Sequence, residues 1–128
     1  MIIRPAKPED ITAIRTILET CDIAAEGVDY ESWTGIVLVA DRQREVIGMI
    51  AALPGRPVAV ITDMAVLPEH RKGRAAGKLI DGMRLLLTSL GCTTWAAFIN
   101  PEKTKWCEAL DHIGTRAQST GVLYRGAL

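Results

Sequence analysis

A cluster of basic residues at positions 71–78 is the stretch of this sequence best suited to chemistry. Arg71, Lys72 and Arg74 stand between a predicted strand and a predicted helix, and Lys78 follows one turn later. The first N–H groups of a helix have no partner within it, and they bind anions readily. Cations at this end oppose the helix dipole by about 0.3–1 kcal/mol each, so a solvated first turn explains them less well than an anionic ligand does. A pyrophosphate or a phosphorylated cofactor suits the cluster.

Hydrophobic periodicity sets the elements on either side of this cluster. Residues Val58–Val66 are rich in apolar, β-branched side chains and predict a strand that is stopped at Pro68. From Ala75 to Leu90 the apolar residues recur every three or four positions, which predicts a helix with one apolar face. Gly91 stands where a residue that ends a helix belongs. The sequence therefore predicts a strand, a basic loop and a helix, in that order.

Two other phosphate-binding motifs do not fit these residues. A P-loop has four residues between its glycines and a Ser or Thr after its lysine, whereas three residues separate Gly73 from Gly77 and a leucine follows Lys78. No Gly-x-Gly-x-x-Gly run occurs in the chain, which removes the main support for a dinucleotide site of the Rossmann type. An anion site of another kind is expected.

Length, charge and cysteine content limit the class of protein. At 128 residues the chain is expected to form one domain, residues 1–128. Fifteen Lys and Arg balance fifteen Asp and Glu, so the basic cluster is local and favours a small anionic ligand over nucleic acid. The chain has neither a run of roughly 20 apolar residues nor a signal peptide, which predicts a cytoplasmic protein without membrane contact. The widely spaced cysteines, Cys21, Cys92 and Cys107, predict neither disulfides nor a metal site.

The remaining patterns predict an α/β domain. Helices are expected after Pro8, after Pro101 and, weakly, near 29–33. Further strands are expected at residues 2–5, 36–40, 46–52 and 93–99, with a terminal hairpin of residues 117–118 and 122–124. Short links make the three strands up to Val66 an antiparallel meander. A strand that follows a crossover helix can lie parallel to the strand before it, so 58–66 and 93–99 are the expected parallel pair.

These elements and residues resemble the GNAT superfamily of N-acetyltransferases. Its fourth strand, pyrophosphate loop and third helix carry a motif of Gln or Arg, two residues, Gly, one residue, then Gly or Ala. The residues of this chain that fall in that frame are Val66, Pro68, Arg71, Ala76, Leu79 and Ile80. Arg74 departs from it, because the family usually has Gly where the backbone approaches phosphate closely. The opening RPAKPEDITAIRTIL also resembles the start of many GNAT domains, and the ending VLYRGAL resembles small phage-encoded ones.

The resemblance implies an α+β fold and a cofactor. The fold is a mixed, mostly antiparallel sheet with one parallel, splayed strand pair, flanked by about four helices. The co-substrate is acetyl-CoA, bound by main-chain groups of the strand 58–66, by the basic loop and by Asn100. Capping of the following helix is the alternative role of Asn100. The implied cofactor-binding residues are Met64, Ala65, Val66, Arg71, Lys72, Gly73, Arg74, Ala75, Ala76, Gly77, Lys78 and Asn100.

The implied reaction is direct attack of an amine on the acetyl thioester. The N–H group of Val66 would donate to the oxyanion. Asp63 is the candidate base, although the family's usual position is one residue earlier, at Thr62, and a structural role is its alternative. Tyr124 is a candidate acid, with hairpin packing as its alternative, because the family's tyrosine position is occupied by Leu110.

The sequence leaves the acceptor and two rival functions open. The segment 21–35, which often forms the acceptor wall in this family, is short, so a small-molecule amine and a protein lysine or N-terminus are both compatible acceptors. A homodimer is also compatible with the sequence. A catalytically inactive GNAT-like module that binds a partner protein is one rival, favoured by Thr62, Arg74 and Leu110. An RNA-binding domain is the other, disfavoured because the basic loop lacks interleaved aromatic residues.

Overall fold

The computed structural model describes residues 1–21, 35–99, 115–116 and 122–127, with side chains for 1–21 and 35–97. Its strands are β1 (Ile2–Pro5), β2 (Ile36–Arg42), β3 (Glu45–Leu53), β4 (Val58–Val66), β5 (Thr94–Ile99), β6 (Thr115–Arg116) and β7 (Val122–Ala127). Its α-helices are α1 (Ile11–Thr20) and α2 (Ala75–Ser89), and single 3-10 turns occupy Pro8–Asp10 and Pro68–His70. The helices predicted near 29–33 and after Pro101 lie outside the described residues.

The strands form one mixed sheet in the order β1-β2-β3-β4-β5-β7-β6. Every neighbouring pair is antiparallel except β4 and β5, which run parallel. A parallel pair needs a crossover connection, and α2 provides it. The prediction of a mostly antiparallel sheet with one parallel pair is therefore confirmed, and within the described part of the chain it is flanked by two α-helices.

The two helices cover opposite faces of the sheet. On one face α1 packs through Ile14, Ile17 and Leu18 against residues of β2 to β4 that include Val39 and Met49. On the other face the predicted apolar side of α2 packs against β2 to β4, using Leu79, Met83 and Leu87. Successive residues of a strand point to opposite faces, so β4 contributes Ala65 to the α1 face and Val66 to the α2 face.

The turns follow the chemistry of the sequence, with two differences in position. Gly91, at φ +87°, follows the end of α2 as predicted, and the charged turn after β2 narrows to Gln43 and Arg44, both with positive φ. Because that turn is only two residues long, β2 and β3 each extend beyond the predicted strands. In the terminal hairpin Thr115–Arg116 pairs with β7, and residues 117–118, where its first strand is predicted, lie outside the described residues.

An ion-pair network fastens β1 to the start of α1. Arg4 donates from Nη1 and Nη2 to the carboxylate of Asp10, over 2.7 and 3.0 Å, and from Nε to Asp41 over 3.1 Å. Asp10 is buried and also accepts the backbone N–H of Lys7. The Arg4 guanidinium lowers the pKa of Asp10. The network therefore fixes the position of the chain where α1 begins. Neither of the two described α-helices is long and apolar enough to cross a membrane.

Candidate functional site

The strands β4 and β5 separate halfway along β4. Their parallel pairing ends at Ile61 and Ala97, although β4 continues to Val66. At the same point β4 carries a bulge against β3, because Ala51 pairs with Asp63 and Ala52 pairs with Ile61, which leaves Thr62 unpaired. The edge of β4 from Thr62 to Val66 therefore faces a gap, called the β4 gap below, instead of a neighbouring strand.

Hydrogen-bond geometry shows which main-chain groups face this gap. Leu67 N–H donates to the carbonyl of Ile47, which makes the pair of Gly48 and Val66 a non-hydrogen-bonded pair of the antiparallel ladder. The N–H and C=O of Val66, and two residues earlier those of Met64, accordingly point away from β3 into the β4 gap. Those of Ala65 point to Met49 on β3, so Met64 and Val66 have main-chain groups that face the β4 gap, and Ala65 has none there.

The start of α2 lies next to the end of β4 and has free main-chain donors. Within the loop, Arg71 N–H donates to Pro68 and Gly73 N–H donates to His70. The helix begins at Ala75 and has no side-chain cap, and its first intrahelical bond there is from Lys78 N–H to the Arg74 carbonyl. By helix geometry the N–H groups of residues 75–77 point outward without acceptors in the helix. Ala75 is itself buried, so it can offer a ligand only its main chain.

Three cations surround this helix terminus. Lys72, Arg74 and Lys78 are exposed, and none of them forms an ion pair within the described part of the chain. A Cβ atom added at Gly77 would meet no atom within 4 Å, so the surface of the first turn is open there. Main-chain donors and positive charge thus converge on one accessible surface, the arrangement that binds a diphosphate.

Arg74 does not need the glycine that the family usually has at its position. Its φ of −96° and ψ of 7° are ordinary for an L-residue. Its side chain lines a cavity of about 240 Å³ together with Met1, Arg42, Ile47 and His70. Met1, Arg42 and Ile47 belong to the β1–β3 side of the sheet, whereas the β4 gap lies on the β5 side of β4. Arg42 was not among the predicted residues, and its only signal in the sequence was the charged turn after β2.

The side chain of Arg71 takes a different direction from the other cations. It folds back over the end of β4, where Nε donates to the Val66 carbonyl over 3.1 Å and Nη2 contacts the Cys21 sulfur over 3.3 Å. The Cys21 thiol in turn lies 3.5 Å from the same carbonyl. Sequence reasoning missed Cys21, because 50 residues separate it from Arg71.

Asp63 lies on β4 beside the bulge, on the same face of the sheet as Ala65 and α1. Its side chain is partly buried, and the loss of hydration raises its pKa, an effect that a hydrogen bond with Thr62 partly offsets. Thr62, the family's usual base position, is exposed at the bulge. A carboxylate with a raised pKa next to a gap is better suited to accept a proton than an ordinary surface aspartate.

For two of the predicted site residues, the structure describes only the backbone, at Tyr124, or does not describe the residue, at Asn100. Tyr124 belongs to β7 and pairs with Ala97, which itself pairs with Ile61, so the backbone of Tyr124 lies level with the point where β4 and β5 separate. It is two strands from β4, roughly 10 Å away. Asn100 lies outside the described residues. Among the described residues no group of three potential metal ligands occurs.

Comparison with known proteins identifies the sequence family and the fold of this chain. Residues 9–106 match the model described as "Acetyltransferase (GNAT) family". No curated protein sequence matches the chain.

Solved structures match almost all of the chain. An acetyltransferase of the GNAT family from Staphylococcus aureus Mu50 superposes with a TM-score of 0.80 at 10% identity, over 99% of this chain and 98% of that one. An aminoglycoside 6'-N-acetyltransferase complexed with coenzyme A gives 0.79 at 13%, over 99% and 97%. The PaiA N-acetyltransferase from Thermoplasma acidophilum, also in complex with coenzyme A, gives 0.76 at 15%, over the whole of both chains. At these identities the structures establish the fold alone.

Proposed function

The chain belongs to the GNAT acetyltransferase family, and from that premise we propose that it is an N-acetyltransferase, moving an acetyl group from acetyl-CoA to a primary amine. The observation that carries the proposal is the unpaired edge of β4 beside the uncapped N-terminus of α2. Two GNAT-fold neighbours were crystallised with coenzyme A, which supports the same choice of ligand. The acceptor is a small-molecule amine, or a lysine or N-terminus of a protein.

The start of α2 would hold the diphosphate of acetyl-CoA. The free N–H groups of residues 75–77 supply directional hydrogen bonds, and Lys72 and Lys78 supply charge. Arg74 adds charge from the β1–β3 side of the loop. Residues 75–77 thus contribute mainly through their backbone, and the lysines need no fixed geometry to be effective. Asn100 is retained in the proposal as a further contact near the thiol.

The edge of β4 would orient the rest of the cofactor. The pantetheine arm is extended and contains amide groups, which can pair with the N–H and C=O of Met64 as a neighbouring strand would. The carbonyl of Val66 already accepts from Arg71, so the N–H of Val66 is the group left to face the acetyl oxygen. A fixed main-chain donor stabilises negative charge that develops on that oxygen without having to reorganise.

The reaction needs one proton acceptor. When bound, acetyl-CoA supplies an activated thioester; the amine forms the C–N bond, the C–S bond breaks, and the thiolate leaves. Asp63 would take the proton that the amine loses, and Tyr124 would return one to the thiolate. Asp63 lies three positions along β4 from Val66, roughly 10 Å away, so the proton from the amine would reach Asp63 through bound water. The raised pKa of Asp63 favours this transfer.

Titration calorimetry with acetyl-CoA, followed by an assay of thiol release, tests the proposal. We expect micromolar binding, and release of the coenzyme A thiol only when an acceptor from a panel of amines, peptides or cell extract is added. Asp63→Ala serves as the control for acceptor-dependent release. Absence of heat at millimolar acetyl-CoA would instead favour the non-catalytic module that binds a partner protein.

A further inference from the structure

The contact between Arg71 and Val66 separates Arg71 from the other cations of the loop. Two of its nitrogens are used within the fold, Nε on the Val66 carbonyl at 3.1 Å and Nη2 on the Cys21 sulfur at 3.3 Å. The side chain thus joins three segments: the end of β4, the basic loop and the residue after α1. Lys72, Arg74 and Lys78 make no comparable contact within the described residues.

The Val66 carbonyl needs such a donor because of where β4 ends. It points away from β3, on the side where β5 pairs with β4 only as far as Ile61. With Arg71 in place, Val66 is 2% exposed. A buried carbonyl without a partner is unfavourable, and a charged donor is among the strongest partners it can have. Arg71 therefore replaces the neighbouring strand that the β4 gap removes.

The same contact also sets the direction of the Val66 N–H. In an extended residue the N–H and C=O groups point to the same edge of the strand. Holding the carbonyl therefore holds the N–H that the proposed function assigns to the acetyl oxygen. A group that must stabilise a developing charge acts best when its orientation is fixed beforehand.

We infer that Arg71 is a positioning residue that acts through Val66, and that its guanidinium is not a diphosphate ligand. The inference rests on the proposed function, because the Val66 N–H has a catalytic task only there. It assigns diphosphate binding to the main chain of residues 75–77 with Lys72 and Lys78, and it assigns to Arg71 an effect on the turnover rate.

Two substitutions of nearly equal length separate the alternatives. In Arg71→Gln the amide nitrogen Nε2 occupies the place of Arg71 Nε along the side chain, so a donor to Val66 is kept while the charge is lost. In Arg71→Met both the donor and the charge are lost. Arg84→Gln and Arg84→Met are matched controls, since Arg84 is exposed on α2 and its side chain makes no hydrogen bond among the described residues.

We expect Arg71→Gln to keep kcat within threefold of the wild type and Arg71→Met to lose tenfold or more, about 1.4 kcal/mol in the barrier. The KM for acetyl-CoA should stay within threefold in both. The carbonyl ¹³C resonance of Val66 should move in Arg71→Met more than in Arg71→Gln. All assays are run below the melting temperature of each variant, so that unfolding does not imitate a loss of turnover.

Other outcomes overturn the inference. If both Arg71 variants raise the KM for acetyl-CoA tenfold or more with little change in kcat, the guanidinium binds the diphosphate. If Arg71→Met keeps the wild-type kcat, the contact has no role in turnover. Failure of the proposed function looks different, because the wild type itself would then bind no acetyl-CoA and release no thiol.

Discussion

Replacing Gly77 by glutamate should strengthen the fold and weaken the binding of acetyl-CoA. Gly77 is in the first turn of α2, where an added Cβ meets nothing within 4 Å, so a side chain fits without rearrangement. Removing a glycine from a helix gains about 0.5–1 kcal/mol, and a carboxylate in the first turn gains about 0.3–1 kcal/mol from the helix dipole. The free energy of unfolding should therefore rise by roughly 1–2 kcal/mol.

The effect on binding has the opposite sign. A carboxylate at this position would lie roughly 7 Å from a diphosphate held by the first N–H groups of the helix. At an effective dielectric constant of about 40–80, the two negative charges of the diphosphate and the added carboxylate repel each other by roughly 1.2–2.4 kcal/mol, which weakens Kd by about eightfold to fiftyfold. Gly77→Gln, which has nearly the same shape but no charge, should keep a Kd near that of the wild type.

Calorimetry with acetyl-CoA at low and high salt measures this difference, and urea denaturation of the same samples measures stability. The gap between the glutamate and glutamine variants should narrow as salt is added, because the interaction is exposed to solvent. Equal Kd values for the two variants would show that the diphosphate does not bind at this end of α2. Weaker binding of both to the same extent would indicate obstruction instead of charge.

Three further substitutions test the rest of the site and the fold. Asp63→Asn should lower kcat/KM at pH 8 by roughly 10²–10⁴ if Asp63 is the base. Because burial raises the pKa of Asp63, its ionisation lowers the stability of the wild type as the pH rises. The Asp63→Asn variant should therefore resist urea better than the wild type above that pKa and equally well near pH 3. Asp81→Asn, at an exposed residue of α2, should change neither kcat/KM nor the resistance to urea. Asp10→Asn should destabilise by about 1.5–3 kcal/mol at pH 7; since Arg4 lowers the pKa of Asp10, that difference should vanish in urea melts as the pH falls through the lowered value. Gly48→Ala should cost about 1–3 kcal/mol by the same assay, because its Cβ would lie 3.1–3.2 Å from Ala65 O, Val66 Cγ2 and Leu79 Cδ1, while Gly77→Ala should not destabilise.

The elements around the basic cluster could be predicted closely because the hydrophobic period changes there. A run of β-branched residues ends at Val66 and a helical period begins at Ala75, and the structure has both boundaries at those residues. Gly91 marked the end of α2 for a local reason, its positive φ. Such features depend on neighbouring residues, so a single sequence contains the information needed to predict them.

The features that shape the site depend on contacts distant in sequence. The bulge at Thr62 arises from a shift in the pairing register between β4 and β3, and the apolar pattern of β4 does not indicate it. Asp10 read as an ordinary acid of a first helical turn, but it is buried between Arg4 and the N–H of Lys7. The four basic residues at positions 71–78 could not be told apart as charges from the sequence. Only the fold shows that the Arg71 side chain turns toward Val66 and that Arg74 lines a cavity with Arg42.

Where two neighbouring strands separate, main-chain groups become free to bind a ligand, but a group at the end of the strand can be left without a hydrogen-bond partner. The main-chain groups of β4 that face the gap would normally pair with β5, and those in contact with solvent or a ligand can do without it. The carbonyl of Val66 points into the gap beyond Ile61, the last residue of β4 that pairs with β5, so the next strand does not satisfy it. A donor from the loop that follows solves this, because Arg71 is only five residues further along the chain. A strand edge can therefore be opened for a cofactor while its last residue keeps a fixed orientation, which is what a main-chain donor to the acetyl oxygen requires.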